Sequence, residues 1–303
     1  MKFVTFKVED IEKIGLIDDQ GNRIIDLRAL QVAGGRDVTL PATLLECIQL
    51  GEKFPNEVRE LMQGVSNEKK GQVAYELSDE RVHLKAPIPR PSKNIFCVGK
   101  NYAAHAIEMG SEADIPEHPM LFSKAPTAVI GPNETVLRHQ DVTDQLDYEG
   151  EIAVVIGKKG KAIAKEDALD YVFGYTLLND ITARDLQKRH KQFLLGKSLD
   201  TSCPMGPYLV YRDEINDPHS LNIETRVNEE IRQTGNTSQF IFDIATIIST
   251  ISKGTTLEAG DIIATGTPAG VGKGFNPPKF LNAGDVIEIE VDGLGILRNQ
   301  VER

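Results

Sequence analysis

From Asn94 onward, short apolar runs recur along the chain, and each stops at a turn-forming residue. "NIFCVG", "EIAVVIG", "VFGYTLLND", "YLVYRD", "NIETRVN", "DIIATGT" and "DVIEIEVDG" are rich in Val, Ile and aromatic residues and end at Gly, Asn, Asp or close to them. Runs of this length and composition, so punctuated, form β-strands. Helical periods are few. "ITARDLQKRHKQF" and "IFDIATIISTISKG" are the best of them, and Gly254 closes the second as a helix cap would. Many strands beside few helices predict an α+β fold that is mainly β, not an alternating α/β fold.

Pro87, Pro89 and Pro91, at every second position of "LKAPIPRPSK", favour a stiff extended segment. They divide the chain into a small N-terminal domain, 1–85, and a larger one, 92–303. The first reads as a β-meander ("KFVTFKV", "KIGLIDD", "RIIDL") followed by helices in "LPATLLECIQLG" and "NEVRELMQG". Its charges are scattered and suggest no chemistry.

A length of 303 residues gives ample core, and a net charge of −11, from 45 acids and 34 bases, lacks the basic face that nucleic acid needs. A local group of cations still suffices for a small anion. The three cysteines are far apart without a CxxC pair, as expected of buried thiols in a reducing compartment. "MKFVTFKVEDIEK" has no apolar signal core, and the most apolar segment is interrupted by Asp243 and too short to span a bilayer. The expectation is a cytoplasmic protein without a membrane partner.

The strand in "LDYEGEIAVVIG" opens with Glu149 and Glu151. Strand side chains alternate faces, so both carboxylates point the same way, roughly 6–7 Å apart. Asp180 closes another apolar run just before a helix, where an Asp often serves only as a cap. If neighbouring strands bring the three acids together, they require a cation. An all-oxygen set suits Mg²⁺ or Mn²⁺ better than zinc.

In "GKNYAAHAIEMGSE", His105 and Glu108 stand three apart, so a helix puts them in contact and the Glu can orient the His as a general base. The plain alternative is a surface pair. Lys124 and Lys197 follow apolar runs; they either snorkel to water or meet an anionic substrate. Arg184 and Gln187 lie one turn apart on the helix after Asp180. "IIATGTPAGVGKGFNPP" imitates a phosphate loop but fails as one. Thr267 stands where its first Gly is needed, Gly274 follows Lys273, and Pro277-Pro278 replaces the helix. A Gly-Thr-containing turn after a strand can instead present N–H groups and a hydroxyl to a carboxylate.

Five segments in order, "LDYEGEIAVVIG", "GYTLLNDITARDLQ", "GKSLDTSCPMGP", "VNEEIRQTGNTSQFIF" and "GDIIATGTPAGVG", resemble the fumarylacetoacetate hydrolase superfamily over about residues 92–300. The full-length layout is similar to its bacterial two-domain oxaloacetate decarboxylase branch. The resemblance implies a mixed β-roll or sandwich around a metal and a homodimer. Its metal ligands fall on Glu149, Glu151 and Asp180, and its His–Glu dyad on His105 and Glu108, on a lid helix. Its other catalytic positions fall on Lys124, Lys197 and Gln187, and its substrate contacts on Arg184, Gln187, Lys197, Thr267 and Lys100. Lys100 departs from the Arg that many members carry there.

The chemistry so implied is cleavage of a C–C bond in a 2-oxo acid through an enolate, with Mg²⁺ or Mn²⁺ as Lewis acid. The substrate is a small 2-oxo dicarboxylate or an acylpyruvate. Decarboxylation of oxaloacetate to pyruvate and CO₂ is the first expectation. Hydrolysis of acylpyruvates, with the dyad activating water, is the second. Isomerisation or decarboxylation of an aromatic-degradation intermediate is the third. The N-terminal domain also leaves room for a protein partner and a binding role.

Overall fold

The computed structural model describes all 303 residues, Met1–Arg303. The principal strands, in chain order, are β1 (Lys2–Val8), β2 (Ile11–Ile17), β3 (Arg23–Asp26), β4 (Ala74–Glu76), β5 (Ile95–Gly99), β6 (Met120–Lys124), β7 (Gly150–Ile156), β8 (Val172–Asn179), β9 (Cys203–Tyr211), β10 (Asn222–Val227), β11 (Glu230–Asn236), β12 (Ile262–Ala264), β13 (Val286–Val291) and β14 (Gly295–Val301). The helices are α1 (Leu27–Ala33), α2 (Leu44–Gln49), α3 (Lys53–Gly64), α4 (Asn67–Gln72), α5 (Ala103–Glu108), α6 (Arg184–His190), α7 (Leu194–Lys197) and α8 (Ile244–Ser252). The fold is α+β and mainly β, as the strand pattern predicts.

A 12-stranded sheet runs β4-β3-β2-β1-β9-β8-β7-β12-β5-β6, with two short strands off this path. A five-stranded sheet contains β11-β10-β13-β14 and a short strand at Thr135–Val136. β7 lies near the middle of the large sheet, antiparallel to both β8 and β12. All its residues are buried, which explains a run of apolar side chains without alternation.

The register between β7 and β8 builds the site. Gly150 faces Asn179, so Glu149 and Asp180, one step beyond, face each other, and the Asp180 N–H donates to the Glu149 carbonyl at 2.8 Å. The acids at the head of one strand and the tail of the next therefore come to one point.

The N-terminal strands continue this same sheet, because β1 pairs antiparallel with β9, Lys2 opposite Val210. One apolar core also spans both parts of the chain. The Phe3 and Phe54 rings pack tilted with centroids 4.8 Å apart, and Phe54 stacks on Phe173 of β8 at 6.2 Å. Truncating a Phe so placed costs about 3–5 kcal/mol.

Helix ends depart from the sequence expectations for local reasons. The helix expected from Ile181 starts only at Arg184, because Thr182–Ala183 pairs with Leu146–Asp147 as a two-stranded ribbon. It stops at His190, before Lys191 at φ 58°. α1 was not foreseen; Asp26 ends β3 and caps it, accepting from the Ala29 N–H at 2.9 Å. α3 begins earlier than expected, its Pro55 tolerated in the first turn. α8 is capped by Asp243, which accepts from the Thr246 N–H at 2.7 Å, and lays five isoleucine and alanine side chains on the core. The three cysteines are buried and unpaired. No helix is long and apolar enough to cross a membrane.

Candidate metal centre and active site

One ligand atom from each of Glu149, Glu151 and Asp180 lies within 4.8 Å of the other two, and all three residues are buried. Three carboxylates this close cannot all stay ionised unaided. Burial, and then the charges of Asp180 and Glu149, raise the Glu151 pKa well above its ordinary value, although the Gly266 N–H donates to its Oε2 at 2.8 Å. Burial pushes Glu149 the same way, but the charges of Lys197 and Arg184 prevail and hold its pKa well below the usual range.

The cations are as buried as the acids. Lys197 Nζ lies 2.7 Å from Glu149 Oε2 and 2.6 Å from Asp180 Oδ2. Lys124 Nζ donates to Asp180 Oδ1 at 2.7 Å and to the Ile181 carbonyl at 3.0 Å. Arg184 Nη2 lies 2.7 Å from Glu149 Oε1. Neither lysine snorkels. Lys197 lines the cavity, while Lys124 is wholly buried outside its lining. Both hydrogen bonds of Lys124 go to protein oxygens, which makes it a partner of Asp180.

An ammonium group thus already sits among these oxygens. A cation centred on an oxygen-only donor set fits a hard divalent ion such as Mg²⁺ or Mn²⁺, with Glu149, Glu151 and Asp180 as the residues that would hold it.

Lys197 owes its position to a close helix crossing. α7 packs so tightly on α6 that a Cβ on Gly196 would stand 2.7 Å from the Gln187 amide nitrogen and 2.9 Å from the Ala183 carbonyl. A side chain there would push α7, and with it Lys197, away from the acids.

The sequence reasoning missed Asp147. Its carboxylate is fully buried and accepts from Arg184 Nε at 2.8 Å, the Gly272 N–H at 2.7 Å, the Lys273 N–H at 3.0 Å and the Tyr148 N–H at 2.9 Å. It ties the loop after β12 to the first residue of α6. The signal was present: Asp147, Glu149 and Glu151 form a run of acids at alternate positions, but Asp147 precedes the apolar run and reads as turn.

A cavity of about 230 Å³ opens over Glu149 and Glu151 of the triad. Glu149, Glu151, Lys197, Arg184, Gln187 and Thr267 are among its polar lining, and Met120, Phe122 and Phe193 form an apolar wall. Gln187 Oε1 accepts from Arg184 Nη1 at 3.3 Å. The Thr267 hydroxyl donates to the Gly150 carbonyl at 2.9 Å and accepts from Gln233 Nε2 at 2.7 Å, so its proton is committed to the strand. Lys100 also reaches the lining and pairs with Asp114 at 3.0 Å.

His105 lies on the same lining, on α5, with Nδ1 3.2 Å from Glu108 Oε2. Glu108 is itself held, its Oε1 accepting from the Gly270 N–H at 2.9 Å. The start of α5 is fixed by Asn101, whose amide donates to the Phe242 carbonyl at 3.1 Å and to the Thr265 carbonyl at 2.8 Å. The His–Glu pair is therefore not a surface pair: it faces the acids across the cavity.

Comparison with known proteins gives the same grouping. The family described as fumarylacetoacetate (FAA) hydrolase C-terminal matches residues 94–302. The chain is 57% identical to oxaloacetate tautomerase YisK of Bacillus subtilis (strain 168), over 99% of this chain and 100% of that protein. Among solved structures it is similar to a fumarylacetoacetate hydrolase from psychrophilic Exiguobacterium antarcticum, with a TM-score of 0.83 and 44% identity over 100% of this chain and 99% of that one. It is also similar to maleylpyruvate hydrolase from Sphingobium sp. SYK-6 in complex with manganese(II) and pyruvate, with a TM-score of 0.76 and 30% identity over 100% of this chain and 99% of that one. Matched by the family over most of its length, and by these relatives over nearly all of it, the chain belongs to the fumarylacetoacetate hydrolase family.

Proposed function

We propose that this protein is a divalent-metal-dependent enzyme acting on oxaloacetate, and that its first reaction is proton transfer between C3 and the 2-oxo oxygen, the keto–enol interconversion. The observation that carries this is the dyad: a buried histidine, oriented by an anchored glutamate, on the wall of a cavity lined by Glu149 and Glu151, with Asp180 close beside them. Simple loss of CO₂ needs no base, whereas tautomerisation needs a group that takes a proton and returns it. The 57% identity to an oxaloacetate tautomerase supports the substrate and the reaction together.

In this reading Glu108 accepts the Nδ1 proton of His105 and leaves Nε2 free to take a proton from C3. The protonated His105 then gives that proton up, directly or through a water, to the enolate oxygen to form the enol, and the reverse sequence regenerates the ketone. Mg²⁺ or Mn²⁺, when bound, supplies Lewis-acid charge to the oxygens of the 2-oxo acid. Lys197 balances the substrate's negative charge, and the Gln187 amide N–H₂ donates to its carboxylate. Glu149, Glu151 and Asp180 are the ligand set.

The apolar wall favours decarboxylation as a second outcome. In a second pose, turned from the cavity mouth toward Met120, Phe122 and Phe193, the C4 carboxylate loses its water, which favours breaking the C3–C4 bond. CO₂ leaves, and His105, after taking a proton from water on Nε2, delivers it to C3 of the remaining enolate to give pyruvate.

The test follows the enol absorbance and pyruvate release from oxaloacetate in parallel, with Mn²⁺ and with chelator. Free metal decarboxylates oxaloacetate slowly, so the Glu149→Ala protein at equal metal is the baseline. Metal-dependent enol–keto exchange above that baseline is expected. Preferential turnover of acetylpyruvate would place the protein with the hydrolases.

A further inference from the structure

Of the cations around this site, Lys100 pairs with Asp114 at 3.0 Å, and the others fall into two groups. Lys124, Lys197 and Arg184 are buried and matched to the carboxylates of Asp180, Glu149 and Asp147. Lys188 and Lys273 also line the cavity but lie at its exposed rim, and the ammonium group of neither has a hydrogen bond or ion pair. Both are fixed at their backbones. Lys188 is one turn along α6 from Arg184, and the Lys273 N–H donates to Asp147, which also holds Arg184. Asp147 therefore brings the two lysines from separate segments to one rim.

This crowding is unfavourable without an anion. Burial, then the charges of Arg184 and Lys188, lower the Lys273 pKa, and Asp147 opposes them only in part. In a chain of net charge −11, a pair of unmatched lysines beside a cavity with a carboxylate floor marks a place for an incoming negative charge. The triad and Lys197 account for the 2-oxo acid end of a substrate; the rim faces its other end.

We infer that Lys188 and Lys273 form a carboxylate-binding rim that recognises the distal carboxylate of the substrate and so selects 2-oxo diacids over 2-oxo monoacids. The inference rests on the proposed reading of the cavity as a 2-oxo acid site.

The experiment compares two ligands of equal chain length, 2-oxoglutarate and 2-oxovalerate, which differ in carrying a carboxylate or a methyl group at the far end. Each is titrated calorimetrically into the full-length magnesium-loaded protein and its Lys188→Gln, Lys273→Gln and double variants. The wild type is expected to prefer the diacid, and the double variant to lose about tenfold of that affinity while the monoacid changes less than about twofold. The preference is expected to shrink as salt rises. Because both side chains are exposed, thermal unfolding of the variants is expected to match the wild type. Equal affinity of the wild type for both ligands, or an equal loss for both in the double variant, overturns the inference while leaving the cavity reading standing. Failure of both ligands to bind the loaded wild type overturns the inference and the cavity reading together.

Discussion

Asp147 and Arg184 are both buried and joined by a hydrogen bond of 2.8 Å from Nε to Oδ2. Arg184 goes on to meet Glu149, so a residue that touches no substrate fixes the charge balance of the candidate metal centre. Asp147→Ala leaves a buried guanidinium half-paired and frees the Gly272 and Lys273 amides. A destabilisation of about 3–5 kcal/mol is expected, read from urea unfolding. Unchanged stability would show that the loop after β12 is held by other contacts.

The acidic cluster makes its own demand. Glu149→Ala or Asp180→Ala is expected to abolish Mn²⁺ binding measured by calorimetry and to reduce enol–keto exchange to that of free metal. Metal-dependent turnover surviving in either variant would remove the three-carboxylate site from the mechanism.

For the dyad the expected effect is selective. His105→Ala should slow keto–enol exchange by about 10²–10⁴-fold and pyruvate formation by less, since only the former needs a base at the start. Equal losses in the two assays would assign His105 to a step shared by both, such as protonating the enolate.

A change at Gly274 probes the same dyad indirectly. A Cβ there would overlap the Glu108 carboxylate, the flexible end of a side chain that can move away. Gly274→Ala is therefore expected to leave thermal stability nearly unchanged while lowering kcat for exchange, because Glu108 gives up its place beside His105 and the Gly270 N–H. Wild-type kcat in this variant would show that Glu108 does not orient His105.

Protons and metal compete at Glu151. In the metal-free protein its pKa is raised above the ordinary 4.5 by burial and by Asp180 and Glu149. Between that value and the raised one, the folded state holds a proton that the unfolded chain has lost, so this group's contribution to stability falls as pH rises. Glu149 acts oppositely, contributing above pH 4.5 and losing that contribution as pH falls. A divalent ion replaces the Glu151 proton, so the gain in Tm on adding Mg²⁺ is expected to be larger at pH 7.5 than at pH 5.5. A gain that is equal or reversed would exclude Glu151 as the group that exchanges its proton for the ion.

Much of the site was legible because it follows local chemistry. Two acids at alternate positions of a strand head share a face whatever the tertiary fold, and an acid at the tail of another strand needed only an antiparallel register to join them. His105 and Glu108 were legible from helical spacing. The roles of Lys124 and Thr267 were less so, because competition decides them. Lys124 spends its hydrogen bonds on Asp180 and the Ile181 carbonyl, and the Thr267 hydroxyl is taken by a carbonyl that no sequence pattern places beside it. Asp147 was missed for a related reason: its four partners come from segments up to 126 residues away. The helix boundaries near Asp180 shifted because a two-residue ribbon claimed Thr182 and Ala183.

The pairing of β1 with β9 has a consequence for synthesis. β1 leaves the ribosome about two hundred residues before its edge partner in β9, where Leu209 faces Phe3 and Val210 faces Lys2. Val82–Leu84 covers Phe6–Val8 early, but the start of that edge, at Lys2 and Phe3, stays open until then, with unsatisfied backbone donors and acceptors beside apolar side chains. The nascent chain is thus most exposed to wrong strand partners, and most dependent on chaperone cover, until the residues of β9 have been delivered.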